Sequence, residues 1–257
     1  MKKTLSILIA ATLLLTACGQ RHELKERLNQ ARHASTDAKS LVQALCDLAN
    51  DTYTALEVDH ALAVVMHDSV QQPRVEAERE EDMAAFTMRL EDGTLSFSRP
   101  QAGTCRGITI YLPTSAALRR VELDGASTFR GTLHAIGRIE LEADGASRLE
   151  ATLANEATHV SVESDGASKV IVRGKAQHVE VEADGAAHAN VSDLAVRTAE
   201  VDLDGAGCTK VNASERISGS VEGASHLMYL GNPTLSVKQD DASRVNQIAE
   251  GDKYKQF

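Results

Sequence analysis

The sequence lacks most of the patterns by which enzymes and nucleic-acid-binding proteins are recognised. No GxSxG, P-loop or dinucleotide fingerprint occurs, so the common nucleophile and nucleotide motifs supply no catalytic hypothesis. The histidines, His22, His33, His60, His67, His134, His159, His178, His188 and His226, show no HxH or HExxH spacing and read as scattered surface residues, not as a zinc site. Positive charge is in deficit: 27 Lys and Arg against 37 Asp and Glu leave a net charge of -10. That balance argues against nucleic acid and against adhesion to anionic headgroups. Aromatic residues make up only 3% of the chain, and small Ala, Ser and Gly are frequent, which suits a narrow, stacked interior. Beyond the amino terminus no segment is apolar enough to span a bilayer. Carboxylate pairs suited to glycoside cleavage are so abundant that spacing singles none out.

The amino terminus has the three parts of an export signal: Lys2 and Lys3, the apolar stretch Leu5 to Leu15, and the small-residue site Thr16-Ala17-Cys18. The apolar run falls short of the roughly 20 residues a spanning helix needs. Leu15-Thr16-Ala17-Cys18 resembles the lipobox of bacterial lipoproteins. The resemblance implies cleavage before Cys18, a diacylglyceryl thioether on Cys18 and an acylated new terminus, which together hold a chain at a bilayer. Gly19, in place of Asp, resembles the pattern of lipoproteins forwarded to the outer membrane. An ordinary cleaved signal is the alternative. The expected organisation is a signal over 1–17, a lipidated terminus and spacer over 18–51, and one domain over 52–257. Within the spacer, residues 21–50 read as helix, with Leu24, Leu28, Ala31, Ala38, Val42, Leu45 and Ala49 on a 3.5-residue spacing. The stripe is thin and Ser35 interrupts it, which favours a single amphipathic helix over a coiled coil. After cleavage Cys46, Cys105 and Cys208 remain in a compartment that permits disulfides; Cys105 with Cys208 is the expected pair, since both lie in the domain.

The informative feature is a repeat. The tetrads Asp124-Gly125-Ala126-Ser127, Asp144-Gly145-Ala146-Ser147 and Asp165-Gly166-Ala167-Ser168 are followed by variants beginning at Asp184, Asp204, Glu222 and Asp240, with starts 20, 21, 19, 20, 18 and 18 residues apart. Before each acid, apolar and acidic residues alternate: Ile139 and Leu141, Val160 and Val162, Val179 and Val181 lie between Glu140, Glu142, Glu163, Glu180 and Glu182. Period two means strand, apolar side inward and acids to water. Five residues after the acid comes a second apolar row, Phe129, Leu149, Val170, Ala189, Leu227 and Val245. A unit of about 20 residues cannot bury its own apolar face, whereas stacked units bury a continuous one. The reading is therefore all-β: a parallel β-solenoid, or β-helix, of about 20-residue coils after a short amino-terminal helix, with repeats over 116–248 and a cap over 52–115. Gly in the tetrad is expected at positive φ. Asp is expected to hydrogen-bond the backbone two residues on, and Ala to face an inward corner where coils lie ~4.8 Å apart.

Stacking places Asp124, Asp144, Asp165, Asp184, Asp204, Glu222 and Asp240 in one row and Glu122, Glu142, Glu163, Glu182 and Asp202 in another. Like charges ~5 Å apart cost on the order of 0.8 kcal/mol per pair in water-like surroundings. Three offsets are open: backbone N–H groups donated to the corner carboxylates, a basic row four residues after the acid (Arg148, Lys169, His188, His226 and Arg244), or Ca²⁺ bridging adjacent rungs.

The chain resembles the putative auto-transporter adhesin head GIN domain family from about Tyr53 to Ile248. The resemblance rests on Leu56-Glu57-Val58, on Gly93-Thr94-Leu95, on the recurring Asp-Gly-Ala-Ser corners, and on the closing segment Gly223 to Pro233. It implies a right-handed β-helix of a secreted or envelope-anchored protein and carries over no catalytic residue. The functional expectation is a non-enzymatic envelope lipoprotein, without a required cofactor, anchored in the outer membrane. Its rigid acidic face would bind a protein or polysaccharide partner, adhesion being one version. A polysaccharide lyase or hydrolase and a purely structural spacer are the alternatives.

Overall fold

The computed structural model describes residues 53–79, 82, 87–99, 107–134, 136–240 and 242–252. The signal, Cys18, the helical reading of 21–50, Cys46 and Cys105 lie outside them. Among the described residues, strands numbered β1 to β17 in chain order and a 3-10 turn at Glu250–Asp252 make up most of the regular structure. The all-β solenoid read from the repeat is what forms, with six turns between the corners at Asp124 and Asp240.

The strands stack in two ladders. The first runs β4 (Thr87–Glu91), β5 (Thr94–Ser98), β1 (Ala55–Val58), β7 (Arg120–Leu123), β9 (Arg138–Ala143), β11 (Ala157–Ser164), the later halves of β12 (Lys169–Ala183), β13 (His188–Leu203) and β14 (Cys208–Val221), then β16 (Thr234–Gln239). The second runs β3 (Arg74–Glu76), β6 (Thr109–Leu112), β2 (Ala63–Met66), β8 (Thr128–Leu133), β10 (Arg148–Leu153), the early halves of β12, β13 and β14, then β15 (His226–Leu230) and β17 (Arg244–Gln247). Each tetrad is the corner that carries the chain from the first ladder to the second. Pairing is parallel throughout except at one end, where β4 and β3 add antiparallel. A parallel ladder exposes its last edge, and these short antiparallel strands close the amino-terminal one.

The cap segment does not follow chain order. β1 lies between β5 and β7, and β2 lies between β6 and β8, so the first strands of the chain form an interior rung. β3 to β6 then build the end beneath that rung, and β7 returns to its other side. The corner of this rung is Asp59-His60-Ala61-Leu62: Asp124 donates its N–H to Val58 O at 3.0 Å and Thr128 donates to Leu62 O at 2.8 Å. It has neither Gly nor Ser, which is why the tetrad pattern misses it. His60 and Ala61 take φ of 62 and 60°, the left-handed region that Gly occupies freely, and Arg99 donates to His60 O.

The core lies between the ladders. Ile139, Leu141, Val160, Val162, Val179, Val181 and Val201 from the first ladder meet Phe129, Leu149, Val170, Ala189 and Leu227 from the second, all at most 1% exposed. Each such burial contributes roughly 1.5 to 3 kcal/mol for a Val, Leu or Phe. Residue volumes compensate within a rung: a Cβ at Gly131 would meet Phe129 Cζ at 2.5 Å, so the large ring occupies the space the glycine leaves. Thr209 fills the gap in the apolar row, fully buried in register with Ala189 and Leu227.

Candidate binding face

The corner column shows why the tetrad has its composition. From Gly125 to Gly205 the corner Gly carbonyls accept the N–H of the Ala one coil later: Ala146 to Gly125 at 2.7 Å, Ala167 to Gly145 at 2.8 Å, Ala186 to Gly166 at 2.8 Å, Ala206 to Gly185 at 2.7 Å and Ala224 to Gly205 at 2.6 Å. The backbones come so close that a Cβ on Gly185 would sit 2.9 Å from Gly166 O, at a φ of 74° that side chains disfavour. Glycine is thus required both by conformation and by stacking. The Ala of the tetrad faces solvent, contrary to the inward corner expected from the sequence. It is the Ser that turns inward: Ser127, Ser147, Ser168, Ser225 and Ser243 are buried. The alternation that points the flanking apolar residues inward runs through the turn and selects the fourth position. Ser164 and Ser168 satisfy one another at 2.7 Å, whereas the Oγ atoms of Ser127, Ser147 and Ser225 have no hydrogen-bond partner.

All seven corner acids are exposed and stacked rung on rung. Asp124, Asp184 and Asp204 each accept the N–H of the following Gly through Oδ1, at 2.5, 2.6 and 2.6 Å, and Asp144 accepts from Gly145 in the same way. The bond is made one residue on, where the sequence predicts two. Asp240 differs. It accepts from Ala242 and Ser243, two and three residues on, and reaches down one coil to Gly223 N at 2.9 Å. These bonds, Ser243 and Gly223 first, hold its carboxyl below the usual range. Backbone donors are therefore the offset that the geometry supplies.

The second acidic row is also real. Glu57, Glu122, Glu142, Glu163, Glu182 and Asp202 stand in register on the outer face of the first ladder. Arg120 Nη2 donates to Glu122 and Glu142, both at 3.0 Å, and Ser220 Oγ donates to Asp202 at 2.7 Å. Glu163, midway along, has its carboxyl pushed up by partial burial and then by Glu142, Glu182 and Asp165, against a weaker pull from Arg120. Asp165 is pushed up by partial burial and by Asp184 and Asp144. The face is therefore a flat field of carboxylates that repel one another. At its far border the His159 and His178 rings lie 4.9 Å apart, and burial, followed by the neighbouring His159, lowers the His178 pKa.

The basic row stacks in the predicted register, Arg148, Lys169, His188, His226 and Arg244, with Cys208 between His188 and His226. Arg148 does not reach across the corner. It bonds to Glu150 on its own strand at 2.7 Å, and Glu150 also takes Arg130 at 3.4 Å. Cys208 is a free, buried thiol whose pKa is pushed up to about 11 by burial; Cys105, its expected disulfide partner, lies outside the described residues. Among the described residues no three His, Cys, Asp or Glu side chains converge as a metal-holding group, and no helix is long and apolar enough to cross a membrane.

The family described as "Putative auto-transporter adhesin, head GIN domain" matches residues 52–233, well over half the sequence. The chain belongs to that family. Among solved structures the GIN-domain solenoid is similar to a "putative adhesin" from Bacteroides fragilis (TM-score 0.63, 18% identity). It is also similar to a "putative lipid binding protein" from Parabacteroides distasonis (0.54, 14%) and a "putative adhesin" from Parabacteroides merdae (0.56, 14%). Each alignment covers 77% of this chain and 93% of the other. At such identities the likeness is one of fold. No curated protein matches the sequence significantly.

Proposed function

We propose that this GIN-domain protein is a non-enzymatic, lipid-anchored module of the cell envelope whose outer first-ladder face binds a cationic polymer or protein partner. The observation that supports this most is the unbroken register of Glu122, Glu142, Glu163, Glu182 and Asp202 beside the corner acids. A rigid surface that holds like charges one rung apart has already met their repulsion in folding, so a complementary cation relieves it on contact. The adhesin names of the family and of two similar structures agree with a binding role. Attachment through Cys18, an outer-membrane location, a helical spacer and right-handed winding belong to the same reading.

The test is retention of cationic and neutral polysaccharides and of envelope extracts on the immobilised domain, compared with the triple variant Glu142→Gln, Glu163→Gln, Glu182→Gln. Capture that weakens in this variant and falls with salt supports the reading; turnover of a glycan, or capture indifferent to both, defeats it. Thermal unfolding with millimolar Ca²⁺ and then EDTA reads the cation alternative: an EDTA-reversible rise of several degrees assigns the rows to a divalent ion. Cys18→Ser should release the protein from the membrane fraction, and continued fractionation with membrane would remove the lipid anchor.

A further inference from the structure

The two ends of the solenoid are finished differently. At the amino-terminal end the short antiparallel strands β3 and β4 close the ladders. At the other end β16 pairs with β14 and β17 with β15, and among the described strands no further rung follows. β16 is open to solvent: five of its six residues are exposed and Val237 is half-buried. Leu235 and Val237 point inward, in register with Ile217 and Gly219, and with Val245 of β17 they line an open hollow. The direction of the backbone follows from the same register. Asp240 donates its N–H to Val221 O, toward β14. Successive residues turn their N–H and C=O to alternate sides of a strand, so those of Leu235, Val237 and Gln239 point away from β14, to the open edge. The acidic rows fade before they reach it. Glu142, Glu163, Glu182 and Asp202 give way to Ser220 and then Lys238, and Glu180 and Glu200 give way to Ser218 and then Ser236. Two copies of a chain of net charge -10 therefore meet little repulsion along this strand.

We propose that a second copy of this chain completes the sheet at this edge, β16 pairing antiparallel with β16 of its partner about a two-fold axis through Ser236. This goes beyond the binding reading and stands independently of it. A strand that meets its own copy across a two-fold axis normal to the sheet runs antiparallel to it, so self-pairing needs no second sequence. Pairing must also keep inward residues opposite inward ones. A centre at Ser236 does so. Leu235 faces the partner's Val237 in a hydrogen-bonded pair, the two Ser236 residues form the close non-hydrogen-bonded pair, and Lys238 faces the partner's Thr234. Six residues a side make a small contact, so the dimer is weak, with a Kd of roughly 10 to 100 μM, and the dilute chain keeps its open end. Because β3 and β4 close the other end, assembly stops at two. The two acidic first-ladder faces then lie on one side of a continuous sheet, which doubles the length of the carboxylate field.

Sedimentation velocity of the chain from residue 18, carrying Cys18→Ser, tests this between about 1 μM and about 500 μM, with monomer expected at the low end and dimer at the high end. Val237→Pro removes a donor that faces the edge and leaves the bonds to β14 in place. It should weaken association by about tenfold or more while the Tm of the dilute protein stays near the parent value. A third variant reads the register. With Cys46 and Cys105 also changed to Ser and buried Cys208 retained, Ser236→Cys should cross-link two chains on oxidation, because the facing Cα atoms lie ~4.5 Å apart, within disulfide reach. Thr234→Cys, which faces Lys238, should not. A chain that stays monomeric throughout, a dimer that Val237→Pro leaves intact or that Ser236→Cys fails to cross-link, or growth past two copies overturns the proposal. Exchange protection of the Leu235 amide that persists in the dilute monomer also overturns it, assigning the cover to another segment of the same chain.

Discussion

The corner column and the return side of the same solenoid follow opposite rules. At the corner the chain turns in four residues on every repeat, the Gly carbonyls from Gly125 to Gly205 are bonded to the next coil, and substitution meets backbone. On the return side the chain takes what length it needs. It leaves strand at 134, 136–137 and 154–156, runs on as strand through β12, β13 and β14, and slips register between Val191 and Ala195. The varying period of 18 to 21 residues is therefore absorbed on one side only. A solenoid tolerates irregularity where rungs are joined loosely, and that freedom depends on a column where they are joined tightly.

The largest test of this difference substitutes a glycine on each side. At Gly205 a Cβ would lie 2.4 Å from Gly185 O, with φ at 99°. Gly205→Val is expected to cost more than about 4 kcal/mol and to leave little folded protein. Gly137, on the return side, has a similar φ of 101° but nothing within 4 Å of its Cβ, so Gly137→Ala should lose only about 1 to 2 kcal/mol of conformational preference. Urea unfolding of both decides it, and equal losses would remove the contrast between corner and return side.

A second test sharpens the comparison along the stack instead of around it. Leu149 is fully buried in the middle, whereas Leu235, inward on the last first-ladder strand in register with Ile217, is 41% exposed at an open end. Leu149→Ala should cost about 2 to 5 kcal/mol. Leu235→Ala should cost well under half of that, as the surface it loses was still partly wet. A comparable loss at Leu235 would mean that the end is covered in solution.

The corner serines give a smaller and opposite-signed pair. Ser168→Ala strands Ser164 Oγ in the core and should cost about 1 to 3 kcal/mol. Ser147→Ala removes a buried hydroxyl that has no partner and should be neutral or stabilising by a few tenths of a kcal/mol. Differential scanning calorimetry of the two variants reads the sign directly.

What was legible in the sequence follows from the same asymmetry. The tetrads repeat because sterics and hydrogen bonding at the corner admit few residues, and alternation repeats because a slip of one residue would turn every side chain around. So the solenoid, both acidic rows and the basic row could be read before any fold was known. The rung at Asp59 could not, because His60 and Ala61 accept the strained conformation without the glycine that advertises it. Nor could the reversed rung order of the cap, since parallel pairing partners lie 65 residues apart, as for Val58 and Leu123, and local pattern says nothing about which rung lies beneath. The outward Ala departs from the inward corner that its size suggests, because size alone does not decide a turn, whereas the continuing alternation does, and it turns the Ser inward. Buried Lys210 breaks the pattern of its own row, and only burial reveals it.

The smallest effect separates the middle of the acidic stack from its last coil. In the folded chain the carboxyls of Glu163 and Asp165 are raised above their ordinary values by partial burial and neighbouring carboxylates. Their contribution to stability is therefore full below the unfolded-state value and is lost as pH rises through the folded one. Asp240 is lowered by backbone donors, so its contribution is present above the unfolded-state value and is lost as pH falls through the folded one. At neutral pH Glu163→Gln should thus raise stability, by no more than a few tenths of a kcal/mol because solvent screens the exposed row, and the gain should vanish as the pH drops through the carboxylate range. Asp240→Ala should lower stability at neutral pH and lose that effect over the acidic range. Unfolding curves for the three proteins between neutral and acidic pH would diverge at the neutral end and converge at the acidic one. Convergence in the other direction would mean that the rows are held together by bound cations in place of the corner hydrogen bonds.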